Sequence, residues 1–80
     1  MEKAQEIEIL EQAAASRGLA WSIAFESAPA EPFAFRLVAI DGHPIEPHDV
    51  IGENFEQALN CITLTAHMLR RVQRAMKGTQ

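Results

Sequence analysis

Apolar and polar positions change period several times along this chain, and each change marks an element. Over residues 2–17 the apolar positions Ile7, Leu10, Ala13 and Ala14 recur at helical spacing, with Glu2, Glu6 and Glu11 assigned to other faces. The run Ala13, Ala14, Ala15 has high helix propensity, and Gly18 offers the left-handed cap that ends a helix behind Arg17. From residue 19 the period drops to two: Leu19, Trp21, Ile23 and Phe25 alternate with small or polar residues, which predicts a strand over 19–26 with one buried face. Residues 27–32 hold two prolines, which cannot donate to a ladder, and read as a connector.

A second strand is predicted over 33–40, with Phe33, Phe35 and Leu37 on one face and Ala34, Arg36, Val38 and Ile40 on the other. Asp41-Gly42 is a two-residue hairpin signal, so residues 43–46 can return as a short third strand, which Pro44 and Pro47 confine to an edge. Residues 47–52 then lead into a long helix over 54–77. Asn54 is its expected N-cap, Glu53 and Glu56 favour the positive end of the helix dipole, and Gly78 is its expected stop. The predicted fold class is α+β in one domain over residues 1–80: helix, strand, strand, an optional short strand, helix, with an antiparallel sheet and both helices on one face.

The last helix carries the most informative pattern. Phe55, Ala58, Ile62, Thr65, Leu69, Val72 and Met76 form a near-heptad stripe along all of it. At ~1.5 Å per residue such a helix is about 36 Å long, roughly twice a strand of ordinary length, so the sheet cannot cover it all. A second apolar ridge, Cys61, Leu64, Met68 and Ala75, lies beside the stripe, and the first helix, a second copy of the chain or a foreign protein could fill it. Asn60, Thr63, His67, Arg70, Arg71 and Arg74 gather on the polar side. The second face of the sheet, with Ala20, Ala24, Val38 and Ile40, is another apolar surface expected to be open.

Composition narrows the classes of function. The chain is 48% hydrophobic and 22% charged, as expected of a folded globular domain, and its net charge of -4 disfavours nonspecific binding to nucleic acid or anionic membrane. Arg70, Arg71, Arg74 and Lys77 nevertheless concentrate most of the positive charge in the last turns, where they complement the helix dipole and could meet an acidic protein patch or phosphates. No apolar run reaches the ~20 residues of a membrane span, and the first residues lack a signal-peptide pattern. The lone Cys61 makes no disulfide framework and suggests a reducing, cytoplasmic setting.

The residues with chemical potential do not form a recognisable catalytic set. Asp41, His43, Glu46, His48 and Asp49 crowd one segment, but their spacing matches no metal-ligand motif and prolines interrupt it. Cys61 and His67 are six residues apart on one helix and point in different directions. No nucleophile elbow and no glycine-rich phosphate loop is present in the sequence. The expectation is a protein without enzymatic activity, cofactor or metal.

Three resemblances bear on function. The order helix, strand, strand, helix, with Phe33-Ala34-Phe35-Arg36-Leu37-Val38 before the turn and Ala58 and Leu59 in the closing helix, resembles a double-stranded RNA-binding domain. That family holds phosphates with a lysine pair at the start of its final helix, where this chain has Gly52-Glu53-Asn54-Phe55-Glu56. The segment Ile51-Gly52-Glu53-Asn54-Phe55-Glu56-Gln57-Ala58-Leu59 is similar to the strand-to-helix junction of HicB-type antitoxins, which implies a small domain that neutralises a partner by binding it. The short, acidic, motif-free profile resembles the small inhibitors of phages and mobile elements, anti-CRISPR proteins among them. Together these give an expected function: a protein-binding inhibitor or adaptor that occludes a larger protein partner, in the host cytosol if phage-encoded. Its contact residues would be Cys61, Leu64, His67, Met68, Arg70, Arg71 and Arg74. A nucleic-acid-binding module and a self-associating subunit, such as a homodimer, are the alternatives.

Overall fold

A computed structural model describes residues 2–78. Its elements are α1 (Lys3–Ser16), β1 (Trp21–Ala28), β2 (Glu31–Ile40), β3 (His43–Gly52) and α2 (Phe55–Gly78). The strands form one antiparallel sheet in the order β1-β2-β3, so β2 is central and the other two are edges. Leu10 and Ala14 of α1, Ile23, Phe35, Leu37 and Ile51 of the sheet, and Ala58, Ile62 and Ala66 of α2 share one buried cluster, which places both helices on the same face. The expected α+β architecture is the one observed.

Local chemistry accounts for the element ends. Behind α1, Gly18 takes φ 84, its N–H donates to the Ala15 carbonyl and the Leu19 N–H donates to the Ala14 carbonyl at 2.9 Å, a double closure that satisfies the last carbonyls of the helix. At the start of α2 the Asn54 side chain accepts from the Gln57 N–H at 2.9 Å, and the Gln57 side chain accepts from the Glu53 N–H at 2.9 Å. Gly52 is required for a different reason: a Cβ there would lie 2.4 Å from the backbone nitrogen of Ala58, so the absent side chain lets the first turn of α2 sit on the end of β3. The stop expected at Gly78 falls at the limit of the described residues, since α2 runs to Gly78 and residues 79–80 lie outside them.

Four expectations need correction. The connector expected over 27–32 is mostly strand, because Pro29 and Ala30 alone make the turn. Proline sets the first turn position and Ala30 takes φ 65, so Ala28 pairs with Glu31 directly across it. The third strand spans ten residues rather than four and reaches Gly52. Its prolines are accommodated because β3 is an edge: between the pairs Ala39↔Pro44 and Leu37↔Asp49, β2 contributes only Val38 while β3 makes a detour through Ile45, Glu46, Pro47 and His48, with a cis Glu46–Pro47 bond.

That detour also covers part of the sheet face expected to be open. His48 Nδ1 reaches Glu26 Oε1 on β1, across the central strand, and beneath this contact Ala34 and Arg36 are buried. Arg36 is only 4% exposed; its Nε donates to the Glu26 carbonyl at 3.2 Å, and Nη2 donates to the Pro32 carbonyl and lies 3.1 Å from Glu31 Oε2. A charged group can be buried there because carbonyls and a carboxylate satisfy its donors. Ala20 and Ile40 are exposed, while Ala24 and Val38 are half-buried.

The fourth correction concerns the acidic residues of α1. Glu6 is buried, 3.5 Å from Lys3 Nζ, and the half-buried Glu11 accepts the Ile23 N–H at 2.8 Å, tying the helix to β1. Phe33, placed on one face with Phe35 and Leu37, is 59% exposed. It lies at the rim of the core, stacked on Phe25 with ring centroids 5.5 Å apart, while Lys3 Nζ sits 4.5 Å from the centre of the Phe25 ring.

Candidate interaction surface on the last helix

The stripe along α2 divides sharply. In the first three turns Ala58, Ile62 and Ala66 are buried against α1 and the sheet, with Phe55, Leu59, Cys61 and Thr65 half-buried at the flanks. From His67 to Lys77 every residue is exposed, including Leu69 and Val72, which continue the stripe. The cause is length: 24 residues at ~1.5 Å each outrun the strands beneath them. The molecule is accordingly elongated, 45 × 26 × 21 Å, with a radius of gyration of 13.8 Å against about 11.6 Å for a compact chain of this size.

The predicted contact residues all lie on this helix, but on different sides of it. Leu64 is 64% exposed and Met68 53%, and with Val72 and Ala75 they form a continuous apolar ridge that α1 does not cover. Cys61 differs from the others, being half-buried at the inner end of the ridge, where it packs against the core. At ~100° per residue His67, Arg70 and Arg74 fall on the opposite polar side, and Arg71 stands at the border between the two surfaces. All four are exposed. Leu69 and Val72, exposed as well, were placed in the stripe by the sequence but not among its contact residues.

The charge is as unevenly distributed as the apolar surface. Arg70, Arg71, Arg74 and Lys77 make the projecting end strongly basic, whereas the remaining chain holds three basic residues, Lys3, Arg17 and Arg36, against all eleven acidic ones. Each molecule is therefore a charge dipole along its long axis. Such an end attracts acidic surfaces and repels its own kind over about one Debye length, ~8 Å at physiological salt.

Other groups with chemical potential are engaged or dispersed. Cys61 and His67 do not converge, since one lies against the core and the other faces outward. His43, Glu46, His48 and Asp49 stand on β3, and among the described residues no three such groups are placed to hold a metal ion. A cleft that the sequence did not suggest lies on the second sheet face, lined by Glu26, Glu31, Arg36, Glu46, His48 and Asp49. The β1–β2 hairpin supplies Glu26, Glu31 and Arg36, and the detour of β3 brings Glu46 and His48 to them, which no sequence spacing encodes. No helix among the described residues is long and apolar enough to cross a membrane. Comparison with protein-family models, with curated proteins and with solved structures gave no match to this chain.

Proposed function

We propose that this chain is a non-enzymatic protein-binding module, an inhibitor or adaptor that works by laying the free half of α2 against another protein. The observation that carries this reading is the exposure of Leu64, Met68, Leu69 and Val72 on a helix that has left its own core. Contiguous apolar surface beside arginines is the composition of contact surfaces, where apolar anchors supply affinity and charge supplies orientation and rate. Occlusion of a larger protein, of the kind small anti-defence inhibitors practise, needs only such a surface and no chemistry of its own.

The test is co-purification from cells that naturally make the chain, comparing the tagged wild type with Leu64→Glu plus Val72→Glu and with Glu8→Lys on α1 as a surface control. The reading predicts a stoichiometric protein, either a foreign chain or untagged copies, that is lost with the α2 variant and kept with the control. Equal recovery with both variants sinks it. Nucleic acid is the competing ligand for Arg70, Arg71, Arg74 and Lys77; binding through them would fall steeply with salt and would survive changes to the apolar ridge.

A further inference from the structure

The ridge that the free half of α2 presents is self-complementary. Around Met68, Leu64 and Val72 lie four residues to either side, and Cys61 and Ala75 seven to either side. The spacing of seven and four keeps all five on one side of the helix. Two copies laid antiparallel with their Met68 residues at the crossing would set Leu64 of each against Val72 of the other, and Cys61 against Ala75. An isologous two-fold contact requires such mutual pairing, in which residue i meets j and j meets i.

Charge selects the same arrangement. A parallel pairing would put the two Arg74 residues at the same level of the pair and set the basic ends of the two helices side by side. In the antiparallel pairing the two Arg74 residues are twelve positions apart, ~18 Å along the axis and beyond the ~8 Å screening length. Each basic end then lies alongside the acidic body of the other copy, where the eleven carboxylates are. His67, Arg70 and Arg74 stay on the outer side of the pair.

We infer that the occupant of the ridge is a second copy of this chain, joined through antiparallel α2 helices crossing at Met68. The inference rests on the reading of the ridge as a protein-contact surface and names the partner. It leaves the outward arginine faces, two per dimer, for any acidic third component.

Sedimentation equilibrium of the full chain over a range reaching about 100 µM tests the assignment. A monomer–dimer equilibrium is expected, weakened at least about tenfold by Leu64→Lys or Val72→Glu alone and restored in the chain carrying both, where the new charges meet across the two-fold axis. Circular dichroism confirms that each variant is folded, because these side chains lie outside the core. Orientation is read from Ala75→Cys: oxidation should give a covalent dimer whose disulfide joins Cys61 of one copy to position 75 of the other. In wild type the two Cys61 residues are ~21 Å apart along the axis and should not link. A chain that stays monomeric throughout overturns the second-copy assignment, while co-purification of a foreign protein would still uphold the docking surface. A disulfide between the two introduced cysteines at position 75 overturns it too, by showing parallel helices.

Discussion

The two halves of α2 carry the same hydrophobic spacing and meet opposite fates. Ala58 and Ile62 are fully buried, whereas Leu69, one heptad beyond Ile62, and Val72, two heptads beyond Ala58, are exposed. Neither propensity nor amphipathicity separates them. What differs is whether a strand and α1 lie beneath, so an apolar stripe states only that a helix has a face to bury and leaves open what buries it.

That contrast can be broken by substitution, measured by chemical denaturation at concentrations low enough to keep the chain monomeric. The largest effect is expected from Ile62→Ala, which removes a fully buried side chain and should cost about 2–5 kcal/mol. Gly52→Ala should follow at about 1–3 kcal/mol, because the new Cβ meets the backbone of Ala58 and forces the first turn of α2 off the sheet. Asn54→Ala removes the cap of the Gln57 N–H and should cost about 1 kcal/mol. Leu69→Ala and Val72→Ala should stay within about 0.5 kcal/mol in the monomer. A loss from Leu69→Ala comparable to that from Ile62→Ala would mean that the two halves are not different after all.

The same variants sharpen the comparison when concentration is raised. Val72→Ala should then lower the midpoint relative to wild type if a second copy covers the ridge, since a bound partner stabilises the folded state by mass action. Ile62→Ala should lower it by the same amount at every concentration.

Much of the fold was legible because local signals agreed with the tertiary outcome. Gly18 closing α1, Asp41-Gly42 turning the hairpin and Asn54 opening α2 each act through their own backbone neighbourhood. The errors fall where a distant residue decides. Pro44 and Pro47 argued against a long third strand, yet an edge strand with a detour absorbs both. Arg36 read as a polar residue on an open face; His48, twelve positions later, reaches over the central strand to Glu26, and Arg36 is buried. Glu6 and Glu11 were assigned to faces away from the apolar one, yet packing sets one beside Lys3 and the other on the Ile23 N–H.

Both helices, the first two strands, the apolar stripe and second ridge of α2, and the concentration of arginine at its end were readable in order along the chain, because periodicity, caps and charge are properties of short stretches. That β3 pairs with its neighbour from Ile40 to Phe35, that Arg36 is buried, and that α1 and the sheet give out at Ala66 follow from how distant elements pack. Where a core ends depends on the lengths of elements distant in sequence. That ending is what turns the second half of α2 from a core face into a surface.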